Sequence, residues 1–260
     1  MTETLLETAE IAARKAGRYI MASISDLGQV DEKGRANLVT SVDRGSEKII
    51  ITEIRKRYPD HAVLAEESGA ASTQSDFRWV VDPIDGTTNF VHGYPFFCVS
   101  IAVQKKEETL AAVVFDPFHD EMFRAMRGKG AFLNHKPLSV SPTPQLSDAL
   151  LATGFPYRDG QSWRHSMALF QNFYASTHGV RRDGAAALDL CYVAAGRFDG
   201  FWEYDLNPWD VAAGILMVQE AGGKTTDFQG QTSSIHDKQI LASNGHIHAA
   251  MLESIRSPSA

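Results

Sequence analysis

The run Trp79-Val80-Val81-Asp82-Pro83-Ile84-Asp85-Gly86-Thr87-Thr88-Asn89-Phe90 delivers two carboxylates three residues apart at the end of an apolar, strand-like stretch, then breaks into a Gly-Thr-Thr turn. Carboxylates at a strand end attract hard divalent cations. A glycine turn followed by hydroxyl residues leaves backbone N–H groups free to hold a phosphate. Together they point to metal-assisted chemistry on a phosphorylated substrate.

Three further acids stand at the ends of expected elements: Glu66 after Ala62-Val63-Leu64-Ala65, Asp43 behind Leu38-Val39-Thr40, and Asp210 in Trp209-Asp210-Val211-Ala212-Ala213-Gly214. Each has a plainer reading. Asp43 and Asp210 suit ordinary first-turn helix positions, worth under about 1 kcal/mol against the helix dipole. Glu66 suits a solvated strand end, and Asp85-Gly86 a simple turn. The combination is more demanding, because two like charges ~4 Å apart cost about 4 kcal/mol at an effective dielectric near ~20. Glu66, Asp82, Asp85 and Asp210 could converge in ionised form only around cations, and Mg²⁺ prefers such oxygen ligands.

Rival chemistries fit less well. An aspartyl-nucleophile phosphatase needs a D-x-D arrangement, whereas Pro83 and Ile84 separate Asp82 from Asp85. Gly128-Lys129-Gly130 lacks the glycine loop and trailing Ser/Thr of a P-loop and reads as a hairpin turn. His92 and His119 have no His-x-x-x-His or cysteine partner, which favours a surface place, or a supporting one behind the ligands, over metal binding.

The elements that must position these groups follow from periodicity and breakers. Leu5, Ala9, Ala12, Ala16 and Ile20 recur at helical spacing, and a second helix begins near Asp43, carries Ile50, Ile54 and Tyr58, and stops at Pro59. Ala62–Ala65 reads as a short buried strand and Gly69–Ser75 as a loop. Phe77–Val81, Phe97–Val103 and Leu110–Asp116 read as strands of an antiparallel set, with a hairpin end at Phe132–Lys136. Ser139–Gln145, with Pro142 and Pro144, is the expected boundary between an N-terminal half (1–140) and a C-terminal half (141–260). Beyond it, Ala149–Thr153 and Phe198–Tyr204 read as strands, and Ala185–Ala195 and Val211–Ala221 as helices, the last closed by Gly222-Gly223.

Composition narrows the class. The chain has 260 residues, 43% hydrophobic and 22% charged, ample for a sizeable core. A net charge of −7 makes direct nucleic-acid binding a poor expectation. Cys98 and Cys191 lie in apolar contexts and read as buried free thiols, which fits a cytoplasmic location. The N-terminus carries no signal-peptide pattern, and no apolar run approaches the roughly 20 residues needed to span a bilayer, so no membrane role is expected.

Asp82-Pro83-Ile84-Asp85-Gly86-Thr87-Thr88 resembles the first signature of the inositol monophosphatase family of lithium-sensitive, Mg²⁺-dependent phosphatases, and Trp209-Asp210-Val211-Ala212-Ala213-Gly214 resembles its second. Leu64-Ala65-Glu66-Glu67-Ser68 and Leu38-Val39-Thr40-Ser41-Val42-Asp43 are similar to two further family blocks. Arg197-Phe198-Asp199-Gly200-Phe201-Trp202-Glu203 is similar to bacterial members. The resemblance implies a layered α/β fold, the αβαβα sugar-phosphatase sandwich, with an α+β half, an α/β half and the site between them. It implies two Mg²⁺ ions, with room for a third. One would lie on Glu66, Asp82 and the Ile84 carbonyl, the other on Asp82, Asp85 and Asp210. Catalysis would rest on Glu66, Thr87 and Asp43, with Thr87 orienting the attacking water and Asp43 accepting the Thr87 proton. Substrate contacts would come from Asp85, Gly86, Thr87, Gly184, Ala185, Ala186, Glu203 and Asp210, the Glu203 carboxylate accepting hydroxyls of a phosphorylated polyol. Ala185 supplies no hydroxyl where many relatives have one. Lys33-Gly34-Arg35-Ala36-Asn37 corresponds to a flexible metal-site loop, with Asn37 where some relatives carry an acid. A homodimer, Li⁺ inhibition, hydrolysis of inositol monophosphate or a related small ester, and a second role in a transcription complex are further implications.

Overall fold

Leu5, Ala9, Ala12, Ala16 and Ile20 form the buried stripe of α1 (Thr2–Ala22), because residues three and four apart share one helix face. The computed structural model describes residues 2–34, 37–71, 73–157 and 160–256. A hairpin of β1 (Val30–Gly34) and β2 (Asn37–Thr40) leads into α2 (Ser41–Arg57), β3 (Ala62–Ala65), β4 (Gly69–Ala71), β5 (Phe77–Asp85) and the short α3 (Thr87–Val91). A meander follows: β6 (Cys98–Lys105), β7 (Glu108–Asp116), β8 (Glu121–Met126), β9 (Gly130–Leu133) and β10 (Lys136–Pro137). The remainder comprises β11 (Leu150–Thr153), α4 (Gln161–Ser176), β12 (Gly179–Arg181), α5 (Ala186–Ala194), β13 (Gly200–Tyr204), α6 (Pro208–Glu220), β14 (Lys224–Thr226), β15 (Gln239–Ser243) and α7 (His248–Arg256).

An eight-stranded sheet runs in the order β10-β9-β8-β7-β6-β5-β3-β4 and a five-stranded sheet in the order β12-β11-β13-β15-β14. Helices α1 and α2 cover one face of the larger sheet; α5 and α6 fill the space between the sheets; α4 and α7 cover the outer face of the smaller one. The result is five layers, αβαβα. The apolar run in β5 reflects this placement: Trp79 and Val81 join the core under α1 and α2, while Val80 joins the core under α6. A strand covered on both faces is continuously hydrophobic.

Several expected boundaries shift. Strand β5 continues past Val81 through Pro83 to Asp85, and the expected Gly69–Ser75 loop contains β4. The expected antiparallel set is present as β5, β6 and β7, and β3 pairs parallel to β5 beside it. Helix α6 starts at Pro208, the favoured first helical position, rather than at Val211. Helices α4 and α7 are additions to the expected elements; α4 buries only Ser166, Leu169 and Phe173, too thin a stripe to mark it clearly. In the Lys33–Asn37 loop, Arg35 and Ala36 lie outside the described residues. No helix of the described residues is long and apolar enough to cross a membrane.

Candidate active site

Asp82 and Asp85 are three residues apart, and on a regular strand such residues face opposite ways. Here Asp82 stands opposite Ser100 and Asp85 opposite Cys98, so three steps on β5 match two on β6. This one-residue bulge at Pro83-Ile84 returns both carboxylates to the same side. It also accommodates Pro83, which has no N–H for the ladder. Ser46 on α2 donates to the Pro83 carbonyl at 2.9 Å, and the Ile84 N–H donates to Asp82 Oδ1 at 3.1 Å, which pins the bulge.

Gly86 follows with φ of 89°, the left-handed region that favours glycine. A Cβ there would also meet the Phe96 carbonyl oxygen at 2.9 Å. The chain turns tightly and starts α3 at Thr87, whose hydroxyl lies 2.7 Å from Asp43 Oδ1 and 3.0 Å from the Ile84 carbonyl oxygen. With one proton, that hydroxyl donates to one of these acceptors at a time.

Asp43 and Asp210 are both third residues of capping boxes, so the plain helix-start reading holds for each. Asp43 Oδ2 accepts from the Thr40 N–H at 2.8 Å and the Thr40 hydroxyl at 2.6 Å, leaving Oδ1 for Thr87. Asp210 Oδ2 accepts from the Asn207 N–H at 2.7 Å. Capping therefore occupies one oxygen of each acid and leaves the other for the site.

Glu66, Asp82, Ile84, Asp85, Gly86, Thr87, Gly184, Ala186, Glu203 and Asp210 line a single cleft between the two sheets. Asp43 sits behind that wall, 1% exposed, and reaches the cleft through Thr87. Ala185 is buried against Gly86 instead of lining the cleft. Burial pushes Asp82 well up from the usual carboxylate range, and the nearby Glu66, Asp85, Asp210 and Asp43 push it further. Burial raises Asp85 to about 8, with Asp210 adding to the rise and the Ala187 N–H opposing it. Asp210 rises to about 7 and Glu203 to about 8, burial again being the main cause.

Several residues at the site escaped the sequence reading. Asp85 Oδ2 accepts from the Ala187 N–H at 2.7 Å, so this acid also caps α5 and ties the end of β5 to it. Asn89 Nδ2 donates to the carbonyls of Phe96 and Asp183, both at 2.7 Å, tying α3 to the Gly184 loop. Its place two residues after Thr87 was the only signal. Arg182, Tyr157 and Gly154 line the cleft without any motif to mark them. Asp189 on α5 is 1% exposed with no hydrogen-bond partner for either oxygen among the described residues, and burial raises it well above the usual carboxylate range. His119 pairs with Asp116 at 2.8 Å, and His92 ends α3; neither lines the cleft. Cys98 and Cys191 are buried free thiols.

The model of a family described as "Inositol monophosphatase family" matches residues 1–259. A Nus factor SuhB of Pseudomonas aeruginosa is 46% identical over 98% of this chain and 96% of its own length. An inositol-1-monophosphatase of Synechocystis is 44% identical over 97% of this chain and 89% of its own. Among solved structures, extragenic suppressor protein suhB from Bartonella henselae superposes with a TM-score of 0.94 at 43% identity, covering 98% of this chain and all (100%) of that one.

Proposed function

The chain belongs to the inositol monophosphatase family, and from that premise we propose that it is a Mg²⁺-dependent phosphomonoesterase acting on inositol monophosphate or a closely related polyol phosphate. The observation that carries this reading is the convergence of Glu66, Asp82, Asp85 and Asp210 on one cleft beside the Thr87–Asp43 pair.

The donor set fits the cation. It consists of carboxylate oxygens and the Ile84 carbonyl, with no imidazole or thiol in the cleft lining, as a hard ion requires. Among the described residues no three acidic, imidazole or thiol side chains are already drawn together tightly enough to hold an ion. The ligand assignment therefore rests on the shared cleft and on the burial that raises these acids, with their mutual repulsion adding to it. Glu66, Asp82 and the Ile84 carbonyl would hold one Mg²⁺, and Asp82, Asp85 and Asp210 a second; a third is a further expectation. Bound Mg²⁺ supplies Lewis acidity, activating water and stabilising a leaving alkoxide.

The chain's own residues do the rest. Asp43, fixed by two hydrogen bonds from Thr40, accepts the Thr87 proton, which leaves a Thr87 lone pair to take a proton of the attacking water. Gly86 and Thr87 would present backbone N–H groups to the phosphate. Gly184 and Ala186 would shape the polyol side, with Ala185 backing Gly86, and Glu203 would accept hydroxyls. A homodimer and a cytoplasmic location complete the reading.

The test is phosphate release from a panel containing inositol 1-phosphate, fructose 1,6-bisphosphate, histidinol phosphate and a nucleotide monophosphate, with and without Mg²⁺ and under a Li⁺ titration. Mg²⁺-dependent release with inositol 1-phosphate leading is the expected result; no release from any ester sinks the reading. The name Nus factor carried by a 46% identical relative supports a second role as a partner in a transcription complex. Capture of transcription proteins by wild type and by Asp85→Asn alike would separate that role from catalysis.

A further inference from the structure

Glu203 lies at the end of β13, and its carboxylate faces the cleft with no hydrogen bond among the described residues. With no hydrogen bond to hold it, this acid is placed by its packing and by the charge of nearby Arg182. Its floor is Gly154. Strand β11 runs parallel to β13 with Thr153 opposite Trp202, and the Thr153 hydroxyl donates to the Trp202 carbonyl at 2.7 Å. The next residues along the two segments are Gly154, just past the end of β11, and Glu203 on β13. A Cβ built on Gly154 would overlap the carboxyl carbon and both carboxyl oxygens of Glu203.

This glycine differs from the other two at the site. Gly86 and Gly184 have φ of 89° and 86°, which favour glycine whatever surrounds them. Gly154 is not among the positive-φ glycines. Its backbone would accept alanine, so the demand for glycine here comes from the space that the Glu203 carboxyl fills.

We infer that Gly154 is a specificity-determining positioning residue: by lacking a side chain it seats the Glu203 carboxylate where that group can accept neighbouring hydroxyls of the substrate's alcohol portion. The inference rests on the phosphatase reading above and deepens it. Any side chain at 154 displaces the acid and turns the site from polyol phosphates toward esters that offer no hydroxyls. The phosphate and cation side of the cleft is built from other elements, β5, α3 and α6, so the two kinds of substrate must respond differently.

The experiment compares wild type, G154A, E203A and G154A/E203A with Mg²⁺ on inositol 1-phosphate and on p-nitrophenyl phosphate, which has no hydroxyl to offer. Loss of a hydrogen bond to a charged acceptor predicts that G154A lowers kcat/KM for the inositol ester about tenfold more than for the nitrophenyl ester, mainly through KM. In the E203A background, G154A should add no further discrimination. Equal losses on both esters, or a full additional loss in the double variant, would overturn the inference. Should G154A fail to fold, recovery of the fold in G154A/E203A supports the same steric conflict, and failure of both overturns it. Wild type hydrolysing neither ester would instead remove the phosphatase reading and this inference with it.

Discussion

Asp199 and Asp82 are both buried carboxylates, and the protein treats them in opposite ways. Asp199 accepts hydrogen bonds from the Ser141 hydroxyl and from the Leu150 N–H, the latter at 2.6 Å. Asn244 extends the network to Ser141 and to the Thr143 carbonyl, both at 2.9 Å. This cluster ties the 141–143 segment to β11 and the end of β15. Asp82 accepts from the Ile84 N–H and otherwise faces Glu66, Asp85, Asp210 and Asp43, all of its own sign. A buried acid surrounded by donors is a structural tie. A buried acid surrounded by acids is costly unless a cation joins it. The contrast separates a cluster built for stability from one that, on the proposed function, is built for a ligand.

Four experiments press on that contrast. Asp85→Asn should lower turnover by on the order of 100-fold or more, the scale of losing one well-placed electrostatic group. The fold should survive, because an amide oxygen can still accept the Ala187 N–H. A near-wild-type rate at saturating Mg²⁺ would remove Asp85 from the ligand set. Asp199→Ala should do the reverse, costing about 2–3 kcal/mol of stability by orphaning its buried donors. Denaturant melts check this, and an unchanged midpoint would erase the distinction between the two clusters.

Thr87→Ala is smaller and more specific. Turnover should fall about tenfold while the Mg²⁺ concentration for half-activity barely moves, since general-base assistance is lost and no cation ligand is. The opposite split would take Thr87 out of the water-orienting role. The smallest effect concerns pH. Asp85 at about 8 and Asp210 at about 7 sit above the ordinary carboxylate value of 3.8. Stability tied to such raised groups is fully present below the unfolded value and is lost as pH rises through the folded ones. The cation-free protein should therefore be penalised by this cluster near pH 8, and Mg²⁺ should relieve the penalty while displacing protons. The gap in Tm between Mg²⁺ and EDTA samples should widen from about pH 6 to about pH 8.5. A constant gap would detach the cation from these acids.

Much of this was legible in the chain. The two signature-like runs and the acids at 43 and 66 mark the cleft because chemistry-bearing residues sit beside strong local breakers: the Gly86 turn and the Pro59 stop. Helices α1, α2, α5 and α6 follow from periodicity, since each buries a broad apolar face. The thin stripe of α4 carries no such signal. Gly154, Arg182, Asn89 and Asp189 were illegible because glycine, arginine, asparagine or aspartate in a loop or helix has many ordinary uses. Only neighbours distant in sequence choose among them.

The sequence by itself determined the residue types of the candidate site: carboxylates at element ends, a glycine turn, and a hydroxyl with an acid to pair with it. It did so because metal and phosphate chemistry restricts residue types, and local turns restrict where those residues fall. Tertiary structure decided what spacing alone leaves open. The bulge paired against β6 turns Asp82 and Asp85 to one side, α2 brings Asp43 to Thr87, and β11 lays Gly154 beneath Glu203. Each depends on which strand or helix lies alongside, a choice made by burying both faces of two sheets at once.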